Sequence, residues 1–207
     1  MQIDPATQAE ADNYRLLTNL VVPRPIAWVS TLNPDGGVNL APYSFFNAIG
    51  ASPLYLILSI AERTAGQPKD TARNILANGE FVVNLVTEEL LDAMNLSAAD
   101  FPEGESELDA AGLHAAAGVS IRTPRIAEAK ASLECRLHSH QRLGDYTLVI
   151  GEVVMFHVDD ALVDEKGRIN GFAPIGRMGS PSVYCRTAGS FDLQRIGYEE
   201  WQARRCS

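Results

Sequence analysis

The sequence predicts a mainly β fold with α insertions, its short antiparallel strands closed into a barrel. Three observations predict it. Short runs rich in β-branched and aromatic residues recur between Gly, Pro and Asn turns. Residues 131–142 alternate, with Leu133, Cys135 and Leu137 on one face and Glu134, Arg136, His138 and His140 on the solvated other. Residues 146–158 are apolar at nearly every position, the pattern of a strand buried on both sides.

The elements follow in order. Residues 4–21 read as a helix: Asp4 can cap it, Pro5 suits its first position, and Tyr14, Leu17 and Val21 recur at helical spacing. Pro23 and Pro25 stop it. Residues 26–32, the turn Asn33-Pro34-Asp35-Gly36-Gly37 and residues 38–41 read as a hairpin. Residues 45–49 and 54–60 are two further strands. Residues 70–78 form a short helix capped by Asp70, 81–86 a strand and 88–99 a helix. The acidic stretch 100–107, with Pro102 and Gly104, is an exposed loop inside the domain. Leu143-Gly144-Asp145 turns the chain between the two long strands. Residues 172–191 hold short strand-like pieces among Gly and Pro. The 207 residues make one domain, with an N-terminal helix (1–22) and a C-terminal tail (194–207).

Composition narrows the function. Asp and Glu number 26 against 17 Lys and Arg, a net charge of −9, which disfavours nucleic acid as a partner. The longest nearly apolar stretch, 48–61, is interrupted by Gly50, Ser52, Pro53 and Ser59 and is too short to span a membrane. The first residues lack the basic flank and apolar run of a leader peptide. Cys135, Cys185 and Cys206 are odd in number and widely spaced, as expected of a cytoplasmic chain. No Gly-x-Gly-x-x-Gly, P-loop, His-Glu-x-x-His, Cys-x-x-Cys or Gly-x-Ser-x-Gly occurs. His138 and His140 share a strand face but have no third ligand at a suggestive spacing, so no metal is expected.

Two clusters carry signal. Residues 24–31 and 39–47 place small polar groups among apolar ones at the ends of adjacent strands. Lys69-Asp70-Thr71 puts a cation and a hydroxyl at a helix start, where free N–H groups and a positive dipole suit a phosphate. Taken singly, each cluster reads equally as strand-end, turn or capping residues.

Together, at this separation, the clusters resemble the flavin-reductase-like proteins of the FMN-binding split-barrel superfamily. The resemblance runs from about Tyr14 to Leu193. It extends through Gly79-Glu80-Phe81-Val82-Val83-Asn84-Leu85 and the Gly144-Asp145-Tyr146 turn. It implies a Greek-key-like antiparallel split barrel, a homodimer, and one flavin near each subunit interface. The implied flavin is FMN, with FAD the alternative, and NAD(P)H is the implied co-substrate. By analogy Ser30, Thr31, Ser44, Phe45, Phe46 and Asn47 line the isoalloxazine and ribityl, with Trp28 as a further apolar wall. Ser59, Ile60, Lys69, Asp70 and Thr71 gather at the phosphate end. Many relatives that oxidise a nicotinamide carry His after the Gly-Asp turn, where this chain has Tyr146, which holds no positive charge at neutral pH. Tyr146 and His140 are therefore the nicotinamide-side candidates, with His138 nearby in sequence. The implied activity is NAD(P)H-dependent flavin reduction by hydride transfer to flavin N5. A monooxygenase or another electron acceptor is the implied partner. The alternative is an FMN-bound electron carrier, or a flavin-binding module, reduced by a partner protein.

Overall fold

The computed structural model describes residues 1–64, 66–99, 101, 106–179 and 181–205. A 3-10 turn at Pro5–Thr7 precedes α1 (Glu10–Leu20), β1 (Arg24–Pro25), β2 (Ala27–Leu32), β3 (Val38–Tyr43), β4 (Phe46–Ala51) and β5 (Leu54–Ala61). Next come α2 (Asp70–Asn78), β6 (Glu80–Leu85), α3 (Leu91–Leu96), α4 (Glu107–Ala110), β7 (Ala115–Ala116) and β8 (Arg125–Ile126). The long hairpin β9 (Ala131–Leu143) and β10 (Tyr146–Val158) is followed by β11 (Ile175–Arg177), β12 (Tyr184–Arg186) and α5 (Tyr198–Arg205).

Seven strands form one antiparallel sheet in the order β3-β2-β6-β9-β10-β5-β4. Its edge strands, β3 and β4, are consecutive in the chain and joined by Ser44 and Phe45 alone. The twisted sheet therefore curls until its edges meet at that link, closing a barrel with no ladder between β3 and β4. Bulges between Ile150 and Gly151 and between Val153 and Met155 sharpen the bend of β10. Gly151 sits where a Cβ would come within 2.5 Å of the Phe81 ring, so a side chain there would push on the barrel core. β1, β11 and β12 make a second, small sheet.

Two cores share β2. Ala27 and Val29 face the barrel interior with Leu56, Leu58, Ile75 and Phe81. Trp28 faces a second core built from Leu40, Met94, Leu108, Ile126 and Ile175. β2 and β6, not β10, are thus strands buried on both sides. On β10 only Val149 and Gly151 are fully buried, and the expectation of two covered faces is corrected. The helical insertion around α3 and α4 covers the outer face of β2 and leaves β10 half-open.

The polar face of β9 also needs correcting. His138 and His140 are exposed, but Glu134 is fully buried. It accepts from the backbone N–H groups of Val119 (2.6 Å), Ser120 (2.7 Å) and Ile121 (3.1 Å), and faces His157 Nε2 at 2.6 Å. A loop distant in sequence folds over this stretch of β9.

Several helix boundaries move. Asp4 caps the 3-10 turn rather than α1, and the Tyr14, Leu17 and Val21 stripe is exposed. Residues 88–99 divide into a 3-10 turn at Glu88–Leu90 and α3. Most of the acidic stretch 100–107 lies outside the described residues, but Ser106 caps α4, accepting from Asp109 N. No described helix is long and apolar enough to cross a membrane.

Candidate cofactor site

The β3–β4 link lies at the seam of the barrel, and a trough opens beside it. Three adjoining hollows of about 180, 220 and 270 Å³ share Pro42 and Tyr43. One is walled by Tyr14, Ser44, Phe45, Ser59, Lys69 and Tyr146. The next holds Asn39, Arg63, Lys69, Asp70, Thr71 and Glu107. The third runs on toward Arg24, Asn95, Arg177 and Tyr184.

Local sequence explains each wall. Along β5, Leu56, Leu58 and Ile60 point into the core, so the alternate residue Ser59 faces outward. Ser59 N donates to Phe45 O at 2.9 Å, fixing the link against β5. The Phe45 and Tyr146 rings stack with centroids 6.0 Å apart and planes at 26°. The Tyr14 ring leans on Phe45 at 6.3 Å. Arg24 pins the upstream end. Its guanidinium donates to Thr18 O (2.6 Å), Val21 O (2.7 Å) and Met178 O (2.7 Å), and its Nε to Ser44 Oγ (3.3 Å).

A run of asparagines seats α2. Asn39 Nδ2 donates to Thr71 Oγ1 (2.9 Å), Asn74 Nδ2 to Thr31 Oγ1 (3.0 Å) and Asn33 Oδ1 (2.7 Å), and Asn78 Nδ2 to Leu32 O (2.7 Å). These bonds hold the helix start against the hairpin. Lys69, the N-cap residue, is extended and makes no side-chain cap, leaving the first-turn N–H groups without a side-chain acceptor from the cap. Lys69 is half-buried, and no ion pair engages its ammonium among the described residues.

Asp70 does not cap the helix. It is the first helical residue, and its carboxylate pairs with Arg63 (3.1 Å) and Arg73. The two guanidinium groups offset its charge at the trough.

The Tyr43 hydroxyl is buried. It approaches Thr71, yet among the described residues no hydrogen bond of ordinary geometry satisfies it. Burial pushes its phenol up to about 12. Burial also raises the Tyr146 phenol, helped by Tyr14, Glu10 and Asp145, so both rings are neutral at pH 7. Burial raises the Glu107 carboxyl, partly offset by backbone N–H groups, including that of Leu40.

The structure brings together Ser44, Phe45, Ser59, Lys69, Asp70, Thr71 and Tyr146. Phe46 and Asn47 line a further groove with Leu17, Val21 and Pro23, which adjoins the trough through Arg24, Ser44 and Phe45. Trp28, Ser30, Thr31 and Ile60 are fully buried, and none lines the trough. Trp28 Nε1 donates to Ser97 Oγ and Ser30 Oγ to Pro124 O, while Thr31 holds Asn39 and Asn74. Ile60 belongs to the barrel core. Neither His138, packed on Tyr55 at 4.6 Å, nor His140 lines the trough.

Residue-by-residue reading missed Asn39, Tyr43, Arg63 and Glu107. The first two lie in the same block as Ser44, which was their signal; Arg63 and Glu107 had none. The residues present fit a phosphorylated flat aromatic ligand. A lysine with no ion pair among the described residues and a helix N-terminus suit the anion, the Tyr43 hydroxyl offers a donor, and Phe45 and Tyr146 offer a flat wall.

Residues 19–187 match the model of the flavin reductase like domain. The chain belongs to that family. The structure of nitrilotriacetate monooxygenase component B from Bacillus cereus is 39% identical, with a TM-score of 0.87, and the match covers 93% of this chain and 98% of that one. The 2-nitrobenzoate 2-nitroreductase NbaA of Pseudomonas fluorescens is 34% identical at TM-score 0.87, covering 96% and 98%. A split-barrel structure from Shewanella frigidimarina, 23% identical, matches at TM-score 0.77 over 96% of this chain and 99% of that one, a likeness of fold. The barrel described above is therefore the split barrel of flavin oxidoreductases, and the family is one of flavoproteins.

Proposed function

We propose that the protein is an NAD(P)H-dependent flavin reductase that holds FMN in the trough, with FAD the alternative. One observation carries this reading. Lys69, half-buried and without an acidic partner among the described residues, stands at a helix N-terminus beside the orphan hydroxyl of Tyr43. A phosphate dianion complements the cation, the dipole and the hydroxyl together.

Hydride acceptance at N5 is the chemistry that the flavin supplies when bound. The chain supplies the rest. Phe45 and Tyr146 give an apolar wall that excludes water from one face of the trough. Ser44 and Ser59 present hydroxyls, while Lys69 and the start of α2 hold negative charge. Tyr146, a neutral phenol, serves by stacking rather than by charge.

Titrating the protein with FMN should quench flavin fluorescence at one equivalent per chain. Adding NADH or NADPH to the loaded protein should consume the nicotinamide's near-ultraviolet absorbance. Absence of FMN binding at micromolar concentrations defeats the reading.

The second reading is an FMN-bound electron carrier reduced by a partner protein. Tyr146, in the place of the histidine expected of nicotinamide-oxidising relatives, favours it. Tight FMN binding with no nicotinamide consumption would select it. The relationship to nitrilotriacetate monooxygenase component B supports a monooxygenase as recipient of the reduced flavin. Exposed Ile49 and Leu54, with half-exposed Ile57 and Ile150, support a homodimer through the β4–β5–β10 face. Sedimentation should give twice the chain mass.

A further inference from the structure

We propose a second binding site at the far end of β10, for a small carboxylate carried on an apolar body. A cavity of about 370 Å³ opens there, lined by Arg125, Ala129, Lys130, Phe156, His157 and Asp159. That volume is in the range of small-molecule sites. Tyr146 borders the cofactor trough and His157 borders this cavity. At the rise of a β-strand they lie about 35 Å apart along β10. The cavity shares no residue with the trough.

Arg125 carries the argument. Its Nε is buried without a hydrogen-bond partner, and no described residue forms an ion pair or hydrogen bond with its guanidinium. The desolvated Nε–H without an acceptor is costly to a folded chain, while the terminal nitrogens are not buried and are the donors that a ligand in the cavity can reach. Acids were not scarce, since the sequence holds 26 of them against 17 basic residues. The other charged groups at the cavity are engaged. Lys130 Nζ meets Glu89 at 3.3 Å, His157 Nε2 meets Glu134 at 2.6 Å, and Asp159 Oδ1 accepts from Ala161 N at 3.0 Å.

The chemistry of the ligand follows. A guanidinium offers a planar fork of donors that matches the two oxygens of a carboxylate. Phe156, 53% exposed, provides apolar surface for the body of the molecule. Asp159 lines the same cavity and opposes a multiply charged head, which favours a carboxylate monoanion over a phosphate dianion.

The test uses the full-length protein with benzoate, acetate and inorganic phosphate, followed by amide chemical shifts. Benzoate should bind saturably, shifting resonances around Arg125 and Phe156. Arg125→Gln should weaken benzoate by about tenfold or more, the loss of a charge-assisted pair. Phe156→Ala should weaken benzoate and leave acetate unchanged. Both variants should bind FMN as the wild type does, which separates this site from the trough. If Arg125→Gln fails to fold by circular dichroism, Arg125→Lys is read instead, and keeping the charge without the fork should still weaken benzoate several-fold. No saturable benzoate binding, undiminished binding to the arginine variant, or phosphate binding tighter than benzoate would each overturn the proposal.

Discussion

Asn39 Nδ2 donates to Thr71 Oγ1 at 2.9 Å, tying strand β3 to the first turn of α2. Both side chains are buried. The bond aligns the helix that begins after Lys69 with the strand that ends in Tyr43, so the cation and the orphan hydroxyl meet in one trough.

Asn39→Ala should therefore affect stability and binding together. It leaves buried Thr71 without its donor, and a lost buried partner costs about 1–3 kcal/mol. The urea midpoint should fall accordingly, and FMN affinity should fall with it. Unchanged affinity in a destabilised variant would mean that α2 is seated by Asn74 and Asn78 alone.

Lys69→Ala addresses the phosphate directly. A charge-assisted contact is worth about one to two decades of affinity. FMN should weaken by that factor, while riboflavin, which lacks the phosphate, stays unchanged. Equal loss for both ligands would assign Lys69 to the fold. Asp70→Asn is the informative companion: it releases Arg63 and Arg73 from a carboxylate, so FMN binding should hold or tighten.

Tyr43→Phe should move stability and affinity in opposite directions. Removing an unsatisfied buried hydroxyl stabilises the ligand-free protein, by about 1 kcal/mol or more in melting or urea experiments. The same change removes a donor from the trough, so FMN should bind less tightly. A variant that is both weaker in binding and less stable would show that Thr71 already satisfies the hydroxyl.

Glu134 gives the fold a pH dependence. Burial acts to raise its carboxyl, but the N–H groups of Val119 and Ser120, with His157, outweigh it and hold it below the ordinary 4.5. A lowered folded value means that this stabilisation is complete above the ordinary value and is lost as pH falls through the folded one. Glu134→Gln should thus be less stable than the wild type near neutrality, with the gap closing in acid. Urea midpoints from about pH 7 down to about pH 3 would show it. A gap that is independent of pH would rule out the carboxylate charge as its source.

What the sequence determined by itself was local. Alternation located β9 and a continuous apolar run located β10, and the Gly144 turn joins the two with φ +58°, a backbone state that glycine adopts freely. Lys69, Asp70 and Thr71 were legible as a helix start because the signals of a helix end lie within one turn. The tertiary structure alone decided which face of each strand is covered. Ser59 and Ile60 are neighbours, yet one faces the trough and the other the core, since a period of two separates faces without saying what lies against them. Trp28, Ser30 and Thr31, expected beside the cofactor, are interior because three different segments cover β2: Met94 and Ser97 pack on Trp28, the loop at Pro124 accepts from Ser30, and α2 seats Asn74 on Thr31. Glu134 changed from a solvated residue to a buried one because residues 119–121 turn their N–H groups onto it. Each of these outcomes depends on contacts between segments far apart in the chain, and a pattern read within one segment holds no information about its cover.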